Sequence, residues 1–191
     1  GESISMKDSD NTRPSKGWIL AFHPDLICGT VLGANIRDYT FFSYRPEEAL
    51  HVSLREKQVI LELLDKINEE LQRCIDCYSQ KIISKYIELL LDYCERFYER
   101  QFITRNEANK KIIERFDRLL DDHFNTIQSQ SYDLPTIEEC VRVLRLSPAY
   151  FNDLLEYETG KSYKEYLQFK RFEIAKEWLI NTDKTLSQIA Q

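Results

Sequence analysis

Residues 147–158 combine a serine and a proline with short polar side chains of the kind that read the edges of base pairs. Ser147 followed by Pro148 has the form of a helix N-cap with proline at the first helical position. On a helix starting there, Phe151, Leu154 and Leu155 form an inner face, and Ala149, Tyr150, Asn152, Asp153 and Glu156 are expected to face outwards as candidates for base contact. Asn152 can contact adenine in a bidentate manner, Asp153 can accept from cytosine N4, and Ala149 can touch a thymine methyl. A bidentate pair of this kind discriminates by ~1–3 kcal/mol. The candidates for phosphate contact are Ser147, Lys161, Ser162, Lys164, Lys170 and Arg171. From Ser147 to Glu158 there are three acidic residues, Asp153, Glu156 and Glu158, and no Lys or Arg. Phosphate contacts supply most of the affinity of such a surface, so binding is expected to be weak, on the order of the non-specific ~10⁻⁴–10⁻⁶ M range.

Other constellations carry less. Cys74-Ile-Asp-Cys77 is a CxxC, a spacing used by redox and zinc pairs, but it falls late in an expected long helix with no second CxxC or His pair nearby. Ordinary helical thiols are the preferred reading, and no metal site is expected. Gly160-Lys161-Ser162 ends like a phosphate-binding loop, yet Leu155 stands where that motif needs glycine. His23, His51 and His123 are far apart, and no Ser/His/Asp or paired-carboxylate spacing supports catalysis. An enzyme is not expected, nor is a cofactor.

These side chains need elements to hold them. Thr136 with Glu139, and Ser162 with Glu165, make capping boxes; Thr185 with Gln188 has the same form. With Ser147-Pro148 they imply four short helices, about 136–144, 148–158, 162–180 and 185 to the end. The first two, joined by a tight turn, fit a helix-turn-helix whose inner face holds Cys140, Val141, Leu144 and Leu146. In such a motif the second helix enters the DNA major groove.

Upstream, Ser53 and Glu56 cap a helix of about 54–76 with Ile60, Leu63, Leu64, Ile67, Leu71 and Ile75 at helical spacing. A helix of about 80–101 is apolar on two faces, one with Ile82, Tyr86, Leu89, Leu90, Tyr93 and Phe97 and the other with Ile83, Ile87, Leu91, Cys94 and Tyr98. Such a helix needs two partners. The second is either another copy of the chain, giving a homodimer through 54–101, or the N-terminal strands and the next helix. A third helix covers about 106–124, and Asn125 to Pro135 reads as a linker. In the first fifty residues, β-formers predict strands near 18–22 and 40–44 and a helical turn near 31–37.

The chain is 42% hydrophobic and 30% charged, with only five glycines and five prolines in 191 residues, so helices should dominate a globular fold. No apolar run approaches a membrane span and no signal-peptide core is present in residues 1–10, so the expected location is cytoplasmic, with no membrane partner. The five cysteines are then expected as reduced thiols, mostly buried. Net charge is −6; from Thr136 onwards eight Lys/Arg face nine Asp/Glu, against eighteen and twenty-three before it. The motif is therefore not basic, which argues mildly against a general nucleic-acid binder.

The run from Leu146-Ser147 through Phe151 and Leu155, the turn Thr159-Gly160-Lys161-Ser162, and then Tyr166-Leu167, Arg171 and Ala175 resemble the first half of the AraC/XylS family DNA-binding domain. Leu186-Ser-Gln-Ile189-Ala190 resembles the opening of that family's second helix-turn-helix. Phe22-His23-Pro24-Asp25-Leu26, Gly29-Thr30, Tyr39 to Tyr44 and Phe97-Tyr-x-Arg100-Gln101-Phe102 resemble the end of its cupin-like sensory domain and the helical pair after it. The resemblance implies a mainly α chain, truncated at both ends. Residues 1–50 would be the remnant of a β-rich cupin-like barrel, 51–124 a helical dimerisation region, 125–135 a linker, and 136–191 a partial DNA-binding domain. It implies transcription regulation through double-stranded promoter DNA, with RNA polymerase as a further contact, and a structural role for Arg171. The alternative is a helical dimerisation or interaction module without autonomous DNA binding.

Overall fold

The computed structural model describes residues 17–126 and 135–181. The expected helix from Thr185 and most of the linker lie outside them. Within them the chain forms seven α-helices: α1 (Val31–Asn35), α2 (Leu54–Leu71), α3 (Ser79–Thr104), α4 (Asn106–Thr126), α5 (Ile137–Leu144), α6 (Pro148–Thr159) and α7 (Tyr163–Asn181). Among the described residues no helix is long and apolar enough to cross a membrane.

α2 starts where Ser53 and Glu56 exchange bonds: Ser53 Oγ accepts from the Glu56 N–H at 3.3 Å, and a Glu56 carboxylate oxygen accepts from the Ser53 N–H at 2.6 Å. It stops at Leu71, short of the expected 76. A helix could not run through Asp76, whose carboxylate accepts from the N–H groups of Tyr78 and Ser79 at 2.8 and 3.0 Å at the start of α3. A short acidic side chain that bonds the backbone two and three residues on competes with helix continuation. Cys74 and Cys77 consequently lie exposed in the α2–α3 connection and not on a helix. Cys28 is exposed too, which corrects the expectation of mostly buried thiols; Cys140 is buried, and Cys94 is half-buried with its thiol pushed up to about 11 by desolvation.

The expected N-terminal strands are the main correction. No strand occurs among the described residues. Residues 17–23 carry no regular element, and Thr40–Ser43 form a 3-10 turn, as do Pro24–Leu26 and Pro46–Glu48. The β-forming aromatics are used singly on α3. The Tyr39 hydroxyl donates to Asp92 at 2.6 Å, and the Phe41 ring stacks on Tyr98 with centroids 5.5 Å apart. With no neighbouring strand to take its N–H groups, the backbone closes local turns, such as Tyr44 N–H to Phe41 C=O at 3.1 Å. β-propensity reports fit to a half-buried surface, and a helix can supply that surface.

This segment packs on the same face of α3 as α2 does. Ile83, Ile87 and Leu91 join Ile67 of α2 and Ile27, Leu32 and Tyr39 in one core. α1 lies so close to the preceding turn that a Cβ on Gly33 would collide with the Ile27 carbonyl. Gln80 donates to the carbonyls of Asp25 and Leu26 at 3.2 and 3.1 Å, and Ser84 to the Thr30 hydroxyl at 3.0 Å. Arg100 ties α3 to α2 through Glu56 at 2.7 Å.

A second core lies around α5, α6 and α7, and α4 belongs to it. Phe116 and Leu120 of α4 are fully buried against Cys140, Val141, Leu144, Phe151, Leu155, Tyr166 and Leu167. Between the two cores sits a smaller cluster: Phe102 at the end of α3 with Tyr150 and Leu154 of α6, flanked by Tyr44.

Candidate nucleic-acid interface

α5 and α6 form the helix-turn-helix that the capping pattern predicts. Thr136 Oγ1 accepts from the Glu139 N–H at 3.3 Å, and Glu139 accepts from the Thr136 N–H at 2.8 Å. Arg145 ends α5 in the left-handed region at φ 62°. Leu146 follows, its N–H reaching the Val141 carbonyl at 3.1 Å, and Ser147 caps α6 by accepting from the Tyr150 N–H at 3.2 Å. The turn is thus Arg145-Leu146-Ser147. Gly160, at φ 67°, closes α6, and Ser162 with Glu165 opens α7.

The support beneath is aromatic and hydrogen-bonded. Phe116 meets Phe151 edge to face at 4.9 Å. Tyr163 donates to the Pro135 carbonyl at 2.8 Å and touches the Cys140 sulfur at 3.3 Å; Tyr166 donates to Asp117 at 2.7 Å. Burial first, and these bonds second, hold both phenols well above the usual tyrosine range.

The outward face of α6 is less open than its periodicity suggests. Tyr150, expected to face out, is 4% exposed, with its ring edge-on to Tyr44 at 5.1 Å and tilted on Phe102 at 5.4 Å. Burial raises its phenol. Asp153 is half-buried and accepts from the Tyr44 hydroxyl at 2.6 Å. Asn152 is half-buried and accepts from the Tyr163 N–H at 3.3 Å, so its carbonyl is used inside the motif. Ala149 is half-buried and Glu156 exposed. Nothing in the residue types of 147–158 signals this cover. It comes from Tyr44, Glu48 and Phe102, none of which stood among the sequence candidates.

The phosphate candidates divide likewise. Ser147 is 3% exposed, and its N–H and hydroxyl both donate to Glu48, each at 2.6 Å. Glu48 is itself 4% exposed and also accepts from the Arg45 N–H at 2.7 Å. Lys170 pairs with Asp117 at 3.1 Å, and Lys161 lies over the Phe169 ring at 5.0 Å. Ser162 is held by Glu165. Lys164 and Arg171 are exposed on α7.

No protein-family model matches the sequence, and no solved structure matches the chain. Over 99 residues, 51% of its length, the chain is 26% identical to the uncharacterized HTH-type transcriptional regulator YtdP of Bacillus subtilis (strain 168). The match covers 13% of that relative, so the chain spans a small part of its length.

Proposed function

We propose that the chain carries the DNA-binding helix-turn-helix of a transcriptional regulator of the AraC/XylS type, with α6 as recognition helix. The observation that supports this reading best is the α5–turn–α6 unit itself: two short helices joined by Arg145-Leu146-Ser147 and backed by one core from α4 and α7. The similarity to an HTH-type regulator points the same way. Ala149, Asn152 and Glu156 offer base contacts, and Lys161, Lys164 and Arg171 offer phosphate contacts beside them.

Three cations of this kind set an expected salt dependence. Each phosphate neutralised contributes a slope of about −0.9 to log K against log salt. Fluorescence anisotropy with a labelled random-sequence duplex should show weak binding that falls as salt rises. Changing Lys164 and Arg171 together to Gln should flatten the slope by about 2 units. No binding even at low salt, by the chain or by variants that loosen the contacts over α6, would overturn the reading.

The second reading is an interaction module that does not bind DNA autonomously. A specific observation favours it: Ser147, Tyr150 and Asp153 are all engaged by residues from outside the motif. The same titration separates the two.

A further inference from the structure

The contacts over α6 form a coherent set. Glu48 takes the N–H and hydroxyl of Ser147, the groups at the N-terminus of α6. These are the donors a DNA phosphate would use at the N-terminus of a recognition helix, where the helix dipole also favours negative charge. Tyr44 holds Asp153, three residues beyond Tyr150, and packs edge-on against Tyr150. Phe102 covers Tyr150 and stacks on Tyr157 at 5.6 Å. A carboxylate buried to this degree is tolerated because three donors meet it, from Ser147 twice and Arg45 once.

We propose that residues 44–48, carried on α3, are an autoinhibitory strap: the carboxylate of Glu48 and the hydroxyl of Tyr44 occupy the face of α6 that DNA would take, so the closed chain and the DNA-bound chain exclude one another. The proposal rests on the DNA-binding reading above and assigns its regulation. The strap is fastened to α3 on both sides. Tyr39 bonds Asp92 before it, and after it the Gln101 side-chain Oε1 accepts from the His51 N–H at 2.8 Å while Arg100 donates to the His51 carbonyl at 2.6 Å. It therefore moves with α3. The chain passes between the two cores once, at Arg105, and opening there separates the small Phe102–Tyr150–Leu154 cluster while leaving both larger cores intact.

The test uses the full chain and two variants. Glu48→Gln removes the charge that Ser147 holds, and Tyr44→Phe removes only the hydroxyl on Asp153. Glu47→Gln is the control, since Glu47 is exposed and its loss changes net charge equally. Two readouts are taken: anisotropy with a random-sequence 24-base-pair duplex, and hydrogen exchange of the Ser147 amide. Glu48→Gln should bind the duplex about tenfold tighter or more, Tyr44→Phe should shift the same way by less, and Glu47→Gln should match the parent; the Ser147 amide should exchange faster in Glu48→Gln. Equal affinity in all four proteins, with faster exchange in Glu48→Gln, overturns the strap and leaves DNA binding standing. No binding by any of them overturns the DNA-binding reading and the strap with it. If Glu48→Gln fails to fold, Tyr44→Phe decides, and unchanged affinity there overturns the proposal.

Discussion

Glu48 and Ser147 are ninety-nine positions apart and form the most heavily bonded polar contact on the candidate face. Each is unremarkable by type: a glutamate beside another glutamate, and a serine before a proline. Their pairing has energetic weight because both are buried, so either one left alone would strand a polar group away from water. Gly160 works differently. Its φ of 67° lies in the left-handed region, and a Cβ there would meet nothing within 4 Å. The cost of Gly160→Ala is then purely conformational, about 1 kcal/mol. A thermal melt should show it as a loss of about 2–4 °C, and an unchanged melt would mean that the α6–α7 turn relaxes.

At the scale of elements, the helix starts were legible because a capping box is written within four residues. Ser53-Glu56 and Thr136-Glu139 form as the pattern predicts, whereas at Ser162 the Glu165 carboxylate accepts from both the N–H and the hydroxyl. The carboxyls of Glu139 and Glu165 lie below their usual range. Glu139 is held down first by the Thr136 N–H and Glu165 first by the Ser162 hydroxyl. A depressed folded value means stability is fully present above the unfolded value, about 4.3, and is lost as pH falls through the folded one. Denaturant unfolding followed downwards from pH 6 should therefore weaken below about pH 4.3. Glu139→Gln and Glu165→Gln should each show a shallower acid loss than the parent, and superimposable pH profiles would rule the boxes out as a source of it. The strands failed for the opposite reason. Residues 18–22 and 40–44 have strand-like composition, but a strand needs a neighbour, and composition does not report whether one exists.

At the scale of the molecule, α3 organises both halves. Two apolar faces left a second copy of the chain and the N-terminal segment as alternative partners; α2 and residues 27–39 both meet the face of Ile83, Ile87 and Leu91, while Leu89 on the other is exposed. Light scattering decides between them: with the N-terminal segment as the sole further partner we expect a mass near 22.8 kDa at micromolar concentration. Twice that mass would mean that exposed apolar residues such as Leu54, Leu71 and Ile75 meet a second copy. α4 likewise changes company. It follows α3 in sequence after one residue, yet its apolar stripe of Phe116 and Leu120 closes the core beneath the helix-turn-helix.

Within the described residues, the sequence by itself determined where α2 to α7 start, and the cap, turn and inner face of the helix-turn-helix. Those follow from hydrophobic period and from side chains that bond their own neighbouring backbone. It also determined the lean positive charge around α6, which is a matter of counting. Only the tertiary structure decided which of the outward residues are reachable. Tyr150 and Asp153 stand at outward positions of α6 and are nonetheless covered by Tyr44, Glu48 and Phe102 from another part of the chain. Helical periodicity tells which side chains turn away from their own core; it carries no information about what long-range packing brings to meet them.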